Sequence, residues 1–163
     1  MTAGFTIRRA QPEDHAAVAR ELAEYLSFIG DALDPHGLDH DIAHWQEEYD
    51  GTSGVLLLVE DSVGLVLGTA AVRVLAPGTG ELKRMWLRPA LQGQGLGRRL
   101  LDASLSEARQ LGCRTLRLDS QTKLEAAVRL YRANGFRDIP RYNDNRRADV
   151  CNRRADVWME RTL

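Results

Sequence analysis

Between Leu87 and Arg99 the chain reads Leu-Arg-Pro-Ala-Leu-Gln-Gly-Gln-Gly-Leu-Gly-Arg-Arg, with Gly93, Gly95 and Gly97 at alternate positions. Glycine lets the backbone turn tightly and lets a ligand approach where a Cβ would otherwise stand. An amphipathic stretch follows directly. The first amides of such a helix have no internal partners, and its dipole favours negative charge there. The segment therefore has the makings of a loop that holds a pyrophosphate on backbone N–H groups. The two common nucleotide loops do not fit it. A P-loop requires a lysine and a hydroxyl residue after its last glycine, and none follows Gly97. A dinucleotide loop requires glycine three positions after Gly95, where Arg98 stands.

The elements that must position this loop follow from periodicity. Phe5-Thr6-Ile7-Arg8 alternates as a short strand, and Pro12, Glu13 and Asp14 mark a helix start. Val18, Leu22, Tyr25, Leu26 and Ile29 share one helical face. Residues 30–39 read as a loop, and a weaker helix is expected over Asp39–Tyr49. Val55–Val59 and Val63–Leu75 are apolar runs joined through Glu60-Asp61-Ser62, and Glu81–Leu87 makes a third, which gives an antiparallel meander. Gly95–Leu111 is a second strong helix, Arg114–Asp119 a strand, and Thr122–Asn134 a third helix ended by Gly135-Phe136. The final strand is expected over Ala155–Arg161. Strands paired first as a meander and then joined through helices predict a mixed α/β sheet with helices on both faces.

The bulk numbers narrow the function classes. A chain of 163 residues suits a single domain over 1–163, and 44% hydrophobic with 28% charged residues suits an ordinary globular protein. The net charge of −1 supplies no global field for nucleic acid or an anionic membrane. The arginines near the C-terminus lack the interleaved aromatics that stack bases. Two cysteines, Cys113 and Cys151, make no disulfide framework, and neither they nor the four histidines have zinc-ligand spacing. No apolar run is long enough for a membrane span or a signal core, so the expected location is the cytoplasm. Residues 145–151 recur at 152–158 with six of seven positions identical, which reads as a tandem duplication.

Gln92, Gly95 and Gly97 match the acetyl-CoA loop Arg/Gln-x-x-Gly-x-Gly/Ala of the GNAT superfamily. The preceding Glu81–Pro89 resembles that family's central strand, and Leu130-Tyr131-Arg132-Ala133-Asn134-Gly135-Phe136 resembles its Leu-Tyr-x-x-x-Gly-Phe signature. The chain as a whole is similar to the small bacterial-type, single-domain acetyltransferases. The resemblance implies a sheet of about six to seven strands and an acyltransferase that moves acetyl from acetyl-CoA to a small-molecule amine by direct transfer in a ternary complex. It implies no metal. Main-chain groups of Met85, Trp86 and Leu87 would hold the pantetheine arm. The amides of Gln92, Gly93, Gln94, Gly95, Leu96, Gly97 and Arg98 would cradle the pyrophosphate. Tyr131 would protonate the departing thiolate, and Glu81 would deprotonate the amine directly or through water.

Several readings stay open at this level. Glu81 also reads as an exposed turn glutamate, and His36, His40 or His44 could act in its place. The acceptor could instead be a protein N-terminus or lysine, or the chain could be an acyl-CoA sensor without turnover. Homodimers are common in the family. Two departures from its pattern stand out: Leu124 occupies a position often held by asparagine, and the duplication lengthens the link from Tyr142-Asn143-Asp144-Asn145 to the last strand. The second copy is expected to enter the sheet, since only it continues into Trp158-Met159-Glu160.

Overall fold

The computed structural model of the protein describes residues 4–143 and 155–163. Val55–Val59 lies in β2 (Gly54–Glu60) and is an unbroken apolar run because both of its faces are covered. Leu56 and Leu58 meet α1 (His15–Phe28) through Val18 and Leu22. Val55, Leu57 and Val59 meet α4 (Leu96–Gln110) through a core that includes Leu100 and Leu101. Each fully buried leucine of this kind contributes about 1.5–3 kcal/mol by leaving water.

Around β2 the chain builds one seven-stranded sheet. β1 (Thr6–Arg9), β2, β3 (Val66–Ala76) and β4 (Thr79–Leu87) pair antiparallel in sequence order, as the meander expectation requires. Asp61 makes the first hairpin turn by accepting hydrogen bonds from the amides of Val63 and Leu65. β5 (Thr115–Ser120) joins β4 in parallel, through α4 as crossover. β7 (Val157–Thr162) pairs with β5, and β6 (Arg137–Asp138) forms the far edge against β7. The order is β1-β2-β3-β4-β5-β7-β6.

Three expectations change in detail. The helix expected over Asp39–Tyr49 is two single turns, α2 (His40–Ala43) and α3 (Trp45–Glu48), separated at His44. The helix expected from Thr122 starts later, as α5 (Glu125–Ala133). Thr122 is held outside it because its amide and hydroxyl both donate to the Asp156 carboxylate, at 2.7 and 2.8 Å. The last strand starts at Val157, so the final two residues of the second repeat copy, Val157 and Trp158, are in the sheet opposite Ser120 and Asp119. The first copy, residues 145–151, lies outside the described residues. Among the described residues no helix is long and apolar enough to cross a membrane.

Candidate active site

The site begins where two strands part. β5 accompanies β4 only as far as the pair Leu82–Leu118, and β4 then runs on alone to Leu87 along that edge. A bulge lies within this unpaired stretch. Thr69 pairs with Trp86 and Ala71 with Lys83, so Arg84 and Met85 together oppose Ala70. Arg84 takes φ 55°, a left-handed conformation rare outside glycine, and its carbonyl accepts the Thr69 hydroxyl at 2.7 Å. The extra residue reverses side-chain parity. Leu82 and Leu87 both enter the α4 core, whereas Glu81 and Trp86 face the α1 side. Trp86 donates its indole N–H to Glu21 and packs on Phe28 and Tyr25, with ring centroids 5.1 and 6.1 Å away. Any part it takes in holding a ligand at the strand edge therefore falls to its main chain.

The glycine loop follows the same edge. Pro89–Leu91 makes a single 3-10 turn, and Gln92 folds back so that its Nε2 donates to the Leu87 carbonyl at 3.1 Å. Gly93 and Gly95 have φ of 76° and 79°, and a Cβ on either would meet nothing within 4 Å. Gly95 is the left-handed N-cap of α4, whose first turn carries no acid, while Arg98 and Arg99 are exposed there. Leu96 buries its side chain, leaving its amide as the group at the helix end. Gly97 has a packing role: a Cβ there would stand 3.4 Å from Leu130 and 3.7 Å from Leu87. Arg98 pairs with Asp102 one turn on. An anionic, phosphate-bearing group fits this helix end in shape and charge.

A cleft of about 280 Å³ passes through the parting of the strands. Tyr131 and Ala127 line it from α5, Met85 and Lys83 from β4, and Asp41 and His40 from α2. Tyr131 is 6% exposed, with its ring edge-on to Phe136 at 5.8 Å. Burial pushes the phenol well above its ordinary pKa, and Tyr25 and Asp119 add to the effect. It stays protonated at any physiological pH. Of the three histidines in this region, only His40 lines the cleft, stacked on His44 and 3.6 Å from Glu48.

Glu81 is not an exposed turn residue. It is 2% exposed and lies just behind the cleft wall, where Oε1 accepts Arg73 Nε at 3.0 Å and Oε2 accepts the Tyr142 hydroxyl at 2.8 Å. It belongs to a row of alternating charge that runs across five neighbouring strands: Arg73, Glu81, Arg117, Glu160 and Arg137 are successive register partners. Tyr142 lies on this row, its ring 5.5 Å from the Arg117 guanidinium. Asn143 bridges Asp119 and the Trp158 indole at 2.6 and 2.8 Å, so residues 142–143 are strapped over the sheet beside the cleft.

Sequence reasoning passed over the cluster around Arg84. This side chain reaches Asp39 at 3.0 Å, Asp41 at 2.6 Å and the Leu38 carbonyl at 2.8 Å, which fastens the 38–41 segment to the bulge. Tyr49 also donates to Asp41. Two acids at the start of a helix give no signal until the guanidinium that collects them is known. Glu21 could have been found, since it interrupts the apolar stripe of Val18, Leu22 and Tyr25; it is fully buried against Arg88 and Trp86. Asp41 is strongly desolvated, yet Arg84 and Lys83 hold its pKa well below the ordinary 3.8. A depressed folded-state pKa means its contribution to stability is complete above about pH 5 and declines as pH falls through the unfolded value. Asp41→Asn should cost about 1–3 kcal/mol at neutral pH, because Asp39 still meets Arg84, and should flatten the acid limb of stability against pH. Urea unfolding from pH 3 to 7 measures both, and an unchanged acid limb would remove Asp41 from this role.

The model of the Acetyltransferase (GNAT) family matches residues 16–136. An uncharacterized N-acetyltransferase of Schizosaccharomyces pombe is 31% identical over 90% of both chains. The aminoglycoside N(6')-acetyltransferase type 1 of Stenotrophomonas maltophilia is 33% identical, over 83% of this chain and 88% of that one. Among solved structures, yncA from Salmonella typhimurium with its cofactor acetyl-CoA superposes with a TM-score of 0.73 at 26% identity, covering 98% of this chain and 94% of that one.

Proposed function

The chain belongs to the GNAT acetyltransferase family, and from that premise we propose that it transfers acetyl from acetyl-CoA to the amine of a small molecule, with both substrates bound at once. The observation that carries this reading is the cleft through the sheet. It joins Tyr131 and the open edge of β4 to a charged chamber beside α2. Acetyl-CoA supplies an activated acyl carbon with a thiolate leaving group. Main-chain groups of Met85, Trp86 and Leu87 hold its arm along the unpaired edge, as an added strand is held. The amides from Gln92 to Arg98 hold its phosphates at the end of α4.

The side chains divide the proton work. Tyr131, kept neutral by burial, donates to the departing sulfur. Glu81 is the sink for the proton that an ammonium acceptor must lose, reached through the Tyr142 hydroxyl that already donates to it or through water. Asp39, Asp41, Glu48, Glu81 and Asp119 line or back the chamber against Arg73, Lys83 and Arg84. Among the described residues carboxylates outnumber cations around this chamber, which favours a cationic acceptor. The chamber's size suits a small molecule, as does the likeness to an enzyme named for aminoglycosides.

The test is acetyl-CoA-dependent thiol release with a panel of aminoglycosides and polyamines, run beside peptides with free N-termini. Turnover on small amines with little on peptides supports the reading, and the reverse order sinks it. Glu81→Gln should lower kcat about 10–100-fold while leaving KM for acetyl-CoA within about twofold. An unchanged kcat would remove Glu81 from the proton path.

A further inference from the structure

Of the 22 lysine and arginine side chains only two are lysine, Lys83 and Lys123. A guanidinium stays protonated at any working pH, whereas a buried amine can lose its proton and become a nucleophile. Lys83 stands where that difference counts. It is the first β4 residue beyond the pairing with β5, its side chain is 22% exposed, and it lines the cleft together with Met85 and Tyr131. Met85 is two residues on, no more than about 7 Å along the strand. Lys83 Nζ lies 3.9 Å from Asp41 Oδ1 and 4.0 Å from Glu81 Oε1. Burial lowers the pKa of this amine, and Arg84 and Arg73 act with it against the pull of the two carboxylates. Lys123 differs on each count. It is outside the cleft lining, and its Nζ donates to the Ile29 carbonyl at 2.8 Å.

We propose that Lys83 is itself an acetyl acceptor, modified by the chain's own activity when no small amine occupies the cleft. The inference rests on the acetyl-CoA reading of that cleft. Neutral Lys83 Nζ forms a bond to the thioester carbon as the carbon–sulfur bond breaks. The proton leaving Nζ passes to Glu81, 4.0 Å away, or to water, and Tyr131 protonates the departing thiolate and is replenished from water. No group is oxidised or reduced. The product is an uncharged amide that fills part of the chamber and deprives Asp41 and Glu81 of a cation. Self-acetylation thus closes the acceptor side while acetyl-CoA is plentiful and acceptor is scarce.

The experiment needs no knowledge of the natural acceptor. Purified protein is incubated with acetyl-CoA and no added amine, and acetyl groups are located by intact-mass and peptide mass spectrometry. Wild type, Lys83→Arg and Tyr131→Phe are compared, with acetyl-CoA binding followed by calorimetry on the same samples. Lys83 should be acetylated at least about tenfold faster than Lys123, since only Lys83 is placed beside the bound thioester. Tyr131→Phe should slow its labelling about 100-fold. Lys83→Arg should leave the protein without the fast-labelled site. An unmodified Lys83 on protein that binds acetyl-CoA overturns the proposal and leaves the cofactor reading standing. Equal labelling of both lysines, indifferent to Tyr131→Phe, overturns it too, because that is solution chemistry. A folded protein that does not bind acetyl-CoA overturns the cofactor reading itself, and this inference with it.

Discussion

Tyr131→Phe should lower turnover with a small amine by about 100-fold or more while acetyl-CoA affinity stays within about twofold. The substitution removes one hydroxyl and keeps the ring, so the packing on Phe136 and in the α4 core survives. Among the described residues that hydroxyl makes no hydrogen bond, so none of them loses a partner when it goes. What is lost is the proton offered to the leaving sulfur. Steady-state kinetics beside calorimetry separates the two quantities. A loss of kcat alone marks an enzyme whose acid is Tyr131, whereas equal kcat in both proteins would assign the acid elsewhere. A chain that only senses acyl-CoA would show no turnover in either. The wild-type pH profile offers a second check. Burial raises the phenol's pKa, so the acid remains protonated through the alkaline range and the rate should not fall below about pH 10 on its account.

Gly95→Trp should abolish acetyl-CoA binding in a protein that still folds. Gly95 caps α4 at φ 79° in open space, exposed at the mouth of the loop. A side chain there accepts a left-handed backbone at a cost of about 1–2 kcal/mol, which a domain of this size survives. The indole, however, stands where a phosphate must approach the first amides of the helix. Calorimetry with acetyl-CoA, with circular dichroism to confirm folding, decides the point. Wild-type affinity in the folded variant would move the phosphate site away from residues 92–98. Gly97→Ala is the matched control, since its methyl faces Leu130 and Leu87 and not the open side of the loop.

Local pattern carried much of this protein. Continuous apolar runs and period-3.6 stripes located every long element, because each reflects the faces it has to bury: both faces of Val55–Val59 between two helix layers, and the one side of α4 that carries Leu96, Leu100 and Leu101. The alternating glycines marked a helix end suited to phosphate, since backbone freedom and the helix dipole are properties of a few consecutive residues. The Gly135-Phe136 helix end was legible for the same reason, whereas Tyr131 stood out only through its resemblance to a family signature. Tertiary structure alone decided the rest. The parity switch at Arg84 depends on which β3 residue faces which β4 residue, a register that no local run encodes. Arg84 then gathers Asp39 and Asp41 from more than 40 positions away, and Glu81 meets Tyr142 from 61 positions away. Charge pairing acts through space and leaves no period in the chain. The row Arg73–Glu81–Arg117–Glu160–Arg137 and the cleft beside it therefore became visible only once five strands had been laid side by side.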